Sequence, residues 1–128
     1  MGLTIAEKIL GAHAGRAAVK AGDVVVAGVD FAMVHDERAA NALKLIAKLG
    51  AKTLPYISRT AFFMDHHSPP ITIEAANTHS AMRAFAETFG VVLYDVGDGI
   101  CHQVLSEGGH FTCGDLVVGA DTHATTYG

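Results

Sequence analysis

Apolar positions along the chain follow two alternating rhythms, one of amphipathic helix and one of short buried strand. Thr4-Ile5-Ala6-Glu7 has the spacing of a capping box: the threonine hydroxyl can accept an early amide and the glutamate can reach back. Ile5, Ile9 and Leu10 then share one face of a short helix ending near Gly11. Residues 23–27 form an apolar run between Gly22 and Gly28, the pattern of a buried strand. Between residues 37 and 49, Ala39, Ala42, Leu43, Ile46 and Leu49 recur at helical spacing, and Gly50 supplies the stop. A strand is predicted over 60–64. A longer helix over 73–89 buries Ala75, Met82, Phe85, Ala86 and Phe89 and closes at Gly90. Residues 91–94 read as a strand, 100–105 as a helix, 107–109 as a turn and 116–120 as a last strand.

Helices alternating with short apolar strands define an α/β domain. Parallel neighbours need crossovers, and the crossover helices cover both faces, so the expectation is a three-layer α/β/α sandwich on a largely parallel sheet. The sequence stops just after the last predicted strand, with no helix to complete another crossover, so a truncated domain is expected.

Composition narrows the class. A chain of 128 residues, half of them apolar, is one domain with one feasible core. The apolar runs fall well short of the roughly 20 residues that cross a bilayer, and no basic leader opens the chain, so no membrane partner and a cytoplasmic location are expected. A net charge of −4 without a Lys/Arg cluster argues against nucleic acid and leaves small molecules or proteins as partners. Cys101 and Cys113 are expected to be reduced.

Candidate chemistry gathers where predicted elements end. Asp65, Asp95 and Asp121 each follow a predicted strand, and ligands of open α/β sheets bind beyond the carboxyl ends of the strands. His35-Asp36, Asp65-His66-His67, Cys101-His102 and Asp121-Thr122-His123 put imidazole beside carboxylate or at the same edge. That pairing suits proton transfer, because the carboxylate raises the imidazole pKa and fixes its tautomer. A single strand-end aspartate is commonly a cap or turn residue, but four such groups on one edge exceed what capping needs. His13, His79 and His110 have no such neighbour and are expected at the surface, and Arg16, Arg38, Arg59 and Arg83 are expected on helices or loops away from the strand ends.

Three segments in order, Met64-Asp65-His66, the run Tyr94-Asp95-Val96-Gly97-Asp98-Gly99-Ile100-Cys101-His102-Gln103-Val104-Leu105, and Gly114-Asp115-Leu116 through Asp121-Thr122-His123 to Gly128, resemble the aconitase superfamily. The opening Leu3-Thr4-Ile5-Ala6-Glu7-Lys8-Ile9-Leu10 and Gly22-Asp23 resemble its 3-isopropylmalate dehydratase large-subunit branch, so that the chain reads as the N-terminal part of an aconitase-like domain. The resemblance implies a hydro-lyase that adds or removes water in a hydroxy di- or tricarboxylate with a [4Fe–4S] cluster. On the family pattern Asp65 and His66 form an acid pair near the departing hydroxyl, His102 pairs with Asp121, His123 pairs with a glutamate outside this chain, and His35 contacts substrate. Thr122 replaces the family's usual serine, keeping the hydroxyl and adding a methyl group, which bears on substrate preference together with the adjacent Ala124.

The resemblance also implies three cysteine ligands to the cluster, and the two cysteines here do not match them. Cluster ligands, catalytic serine base and a swivelling domain or small subunit are therefore expected outside these residues, leaving the piece alone inactive and prone to dimerise through uncovered apolar surface. Homoaconitase and 2,3-dimethylmalate dehydratase are rival activities. A non-catalytic remnant is another reading, as is an Asp-His-His metal phosphoesterase, which would need more aspartates near Asp30 than the sequence supplies.

Overall fold

The computed structural model describes residues 2–128. Helix α1 (Ile5–His13) opens on the capping box: the Thr4 hydroxyl accepts from the Glu7 amide at 3.3 Å and the Glu7 carboxylate accepts from the Thr4 amide at 2.8 Å. Four strands then form one parallel sheet, β1 (Phe31–His35), β2 (Thr60–Phe63), β3 (Val92–Tyr94) and β4 (Val117–Gly119), in the spatial order β3-β2-β1-β4. Helix α2 (Asp36–Leu49) joins β1 to β2, α3 (Ile73–Phe89) joins β2 to β3, and α4 (Cys101–Glu107) lies between β3 and β4.

Strand alternation divides the core between the two faces of the sheet. Phe31, Met33, Ala61 and Phe63 pack with Cys101 and Leu105 of α4 on one side. On the other side Phe62 and Met64 pack with Ala39 of α2 and Met82 of α3. Three layers result, as expected. The helix placement also follows from chirality: the chain steps from β1 to β3 in one direction and returns past β1 to reach β4, and right-handed crossovers put helices of opposite travel on opposite faces. The reversal falls between β1 and β4. Chain leaving β1 turns into α2 on one face, while chain leaving β4 turns into a 3-10 segment, Ala124–Tyr127, that packs against α4 on the other. A crevice opens where the two exits part, the usual ligand position of an open α/β sheet.

One predicted strand is absent. Residues 23–27 take no regular secondary structure and do not join the sheet, with Val24 and Val26 90% and 93% exposed. The apolar run has strand character but no neighbouring strand to pair with. The chain enters the sheet instead at Phe31-Ala32-Met33-Val34-His35, a segment with only one β-branched residue, whose strand state comes from lying between β2 and β4. The remaining predicted elements form within two residues of their expected limits.

All three histidines expected at the surface are corrected. His79 is 1% exposed, because it falls on the inward stripe of α3 between Ala75 and Met82 and meets Asp36 there. His13 and His110 are part-buried and paired, His13 with Asp30 at 2.5 Å and His110 with the Tyr94 hydroxyl at 2.5 Å. Asp30 also accepts from the Leu116 amide at 2.8 Å and so ties α1 to the starts of β1 and β4.

Candidate active site

The carboxyl ends of β1, β2 and β4 converge on a basin of about 230 Å³ lined by His35, Glu37, Arg38, His66, Asp121 and the Thr122–His123 pair. Asp121, just beyond β4, is its hub, with a side chain only 5% exposed. Its Oδ1 lies 3.2 Å from His66 Nε2, 3.6 Å from His102 Nε2 and 4.0 Å from His35 Nε2, and its Oδ2 lies 3.4 Å from His123 Nδ1. The His123 amide donates to Oδ2 at 2.5 Å, and this bond, followed by the surrounding histidine charges, holds the Asp121 carboxyl down to about 2 against the cost of desolvation. The hub is an anion at neutral pH.

His66 bridges two carboxylates. Its Nδ1–H donates to Asp65 Oδ1 at 2.8 Å while Nε2 faces Asp121. Burial works against its charged form, but the Asp65 hydrogen bond and the charges of Asp65, Asp36 and Glu37 outweigh it, so the imidazole pKa is raised. Asp65 shows the converse: burial is opposed by the Cys101 amide, which donates to Oδ2 at 2.7 Å, and by His66, and its pKa is lowered. His35 stacks on His66 with ring centroids 3.9 Å apart and donates from Nε2 to the Ala120 carbonyl at 2.8 Å. Burial first, and then the neighbouring His66 charge, lower the His35 pKa, so the two stacked rings are shifted in opposite directions. His102 enters from α4, with Nδ1 2.9 Å from the Tyr127 hydroxyl. Thr122 sits at the exposed rim, its hydroxyl donating to Asp121 Oδ2 at 3.4 Å.

Asp65, His66, His102, Asp121, His123, His35 and Thr122 are thus brought together from three strand ends and one helix. Asp95 is not among them. It forms a two-pronged pair with Arg83, both contacts at 2.6 Å, which lowers its carboxyl to about 2. Arg83 therefore does meet a strand end, because α3 runs back over β3, and Arg38 lines the basin from the first turn of α2; both correct the expectation for the arginines. His67 turns away, into a separate depression with Glu37, Thr72 and Glu74.

Asp36 is a residue the sequence reading undervalued. Buried at the start of α2, it accepts from the amides of Glu37 at 3.1 Å, His66 at 3.2 Å and His67 at 2.9 Å, and from His79 Nε2 at 2.8 Å. One carboxylate fixes the loop that carries His66. The available signal was its acidic position in the first turn of a helix, where the exposed amides and the dipole favour an anion.

The thiols do not fit an iron–sulfur cluster. Cys101 is fully buried, and burial, followed by its hydrogen bond to Asp65, pushes its thiol up to about 12, whereas cluster ligands are thiolates. Cys113 is exposed, and the chain has no third cysteine.

Fold and basin define a doubly wound α/β domain with an acid–base cluster at its topological switch point. The family described as the aconitase family (aconitate hydratase) matches residues 7–128. Three relatives each cover the whole chain: the 3-isopropylmalate dehydratase large subunit 1 of Methanopyrus kandleri at 44% identity, that of Thermotoga maritima at 43%, and the homoaconitase large subunit of Thermus thermophilus at 43%. The chain belongs to the aconitase family. It spans 30–31% of the length of these relatives.

Proposed function

We propose that residues 1–128 form the N-terminal part of a hydro-lyase large subunit that moves water across a carbon–carbon bond of a hydroxy di- or tricarboxylate, with isopropylmalate as the first candidate and the homoaconitase substrate as the second. The relatives named as 3-isopropylmalate dehydratase and homoaconitase large subunits support the reaction class. The observation that carries the reading is His66 held between Asp65 and Asp121.

His66 delivers the Nε2 proton to the departing hydroxyl, and Asp65 holds Nδ1 so that the ring stays oriented as the charge moves. His102, paired with Asp121, is the adjoining acid–base group, and His123 at the exposed rim handles a proton with a carboxylate from outside these residues. Neutral His35 and the Thr122 hydroxyl orient substrate oxygens. Arg38, on the basin wall and in no ion pair among the described residues, holds a substrate carboxylate. A [4Fe–4S] cluster belongs to the complete protein in this reading, ligated by cysteines outside residues 1–128, and a small subunit or swivelling domain closes the basin. No helix among the described residues is long and apolar enough to cross a membrane; a cytoplasmic enzyme is proposed. Uncovered Val24 and Val26 favour self-association of the piece in isolation.

The test is dehydratase turnover of a full-length large subunit carrying this sequence, supplied with a small subunit. His66→Ala should lower kcat by about 10²–10⁴, the usual worth of a positioned proton donor, with KM little changed. Turnover within threefold of the unsubstituted enzyme would remove His66 from the mechanism.

A further inference from the structure

We propose that His102 Nε2, the Asp121 carboxylate and His123 Nδ1 form a binding site for one divalent transition-metal ion, a site distinct from any iron–sulfur centre and standing whether or not the hydro-lyase reading does. The ligand atoms of these three residues all lie within 4.8 Å of one another. Around a tetrahedral ion with bonds of about 2.0–2.1 Å, neighbouring ligand atoms sit roughly 3.3 Å apart. Here His102 Nε2 is 3.6 Å and His123 Nδ1 is 3.4 Å from oxygens of the one carboxylate. The two rings stand 6.3 Å apart, centre to centre, and edge-on at 74°, so they flank the carboxylate instead of stacking over it.

An independent observation is the far side of His102. A metal-bound histidine characteristically gives its other ring nitrogen to a hydrogen-bond partner, which fixes the ring and turns the ligating lone pair inward. His102 Nδ1 lies 2.9 Å from the Tyr127 hydroxyl, and with Nδ1–H donating there, Nε2 presents its lone pair toward Asp121. The histidines of the other groupings in the basin are already committed; within the proposed site, Asp121 Oδ1 also faces His66 Nε2 at 3.2 Å and His123 Nδ1 lies 3.3 Å from the Thr122 hydroxyl, contacts that an ion would replace. His35 Nε2 donates to the Ala120 carbonyl, and its ring stacks on His66. Both nitrogens of His66 face carboxylates. Asp36 accepts from three amides and His79, and Asp65 from the Cys101 amide and His66. Two imidazoles and one carboxylate suit Zn²⁺, Co²⁺ or Ni²⁺ over Mg²⁺ or Ca²⁺. His123, 79% exposed, gives the ion an entry path and a solvent-facing coordination position. An ion bound there withdraws His102 and Asp121 from proton traffic.

The experiment is calorimetric titration of the untagged chain with ZnCl₂, paired with the visible absorption of bound Co²⁺. One ion per chain is expected. His102→Ala and His123→Ala should each weaken binding at least tenfold, and Tyr127→Phe, which keeps every ligand, should weaken it by about tenfold through the lost outer hydrogen bond. His67→Ala should leave the affinity unchanged. No saturable binding by the unsubstituted chain overturns the site, as does affinity unchanged by both histidine substitutions or reduced equally by His67→Ala. His123 is too exposed for its replacement to disturb the core, so the comparison holds even where another variant fails to fold.

Discussion

At the scale of single residues, the basin sets in contact two histidines whose pKa values are shifted in opposite directions. His66 has carboxylates at both nitrogens and a raised pKa, and His35, buried against it, has a lowered one. Histidine NMR titration in the presence of a chelator should resolve one ring moving above the ordinary value of 6.5 and one below it. The linked stabilities have opposite signs. The His66 contribution is complete below pH 6.5 and is lost as pH rises through its folded value. The His35 contribution is complete above 6.5 and is lost as pH falls through its own. Two rings titrating together at the ordinary value would contradict the bridging geometry. The histidines of this cluster were legible in the sequence because each adjoins a carboxylate or ends an element. The pairing of Asp36 with His79 was not, since it spans 43 residues and no local spacing marks it.

Among the elements, helices were the more readable, and the physical cause is their local bonding. The capping box at Thr4, the stripe over Ile73–Phe89 and the glycine at position 90, whose φ of 75° suits a left-handed cap, are decided within a few residues. Strands depend on partners elsewhere: the valines after Asp23 lacked one, while β1, weaker in composition, had two. β4 carries a further constraint. A Cβ at Gly119 would lie 2.7 Å from the Ala124 Cβ, so only glycine lets the 3-10 segment fold back against the strand and bring Tyr127 under His102. Gly119→Ala should lower unfolding free energy by about 1–3 kcal/mol, the usual cost of overpacking, as measured in urea. A change within about 0.5 kcal/mol, typical of an unconstrained surface position, would show that the approach is not tight.

Across the whole molecule, the strand order dictates when the basin can exist. β1 pairs with β2 at a separation of 28 residues, Ala32 to Thr60, but with β4 at 86, Ala32 to Val118. Closing the longer loop costs about 1 kcal/mol more in chain entropy. Long-range pairings of that kind are late events in folding. Pulse-labelled hydrogen exchange during refolding should therefore find the Leu116 and Ala120 amides, which bond to Asp30 and Met33, protected after those of the β1–β2 ladder. Simultaneous protection would mean that the sheet condenses in one step. With β4 docking last, as expected, a partly folded chain holds the histidines without Asp121, their shared counter-ion. Assembly of the Asp–His cluster is thereby coupled to completion of the sheet, and a chain without the β1–β4 ladder lacks its hub.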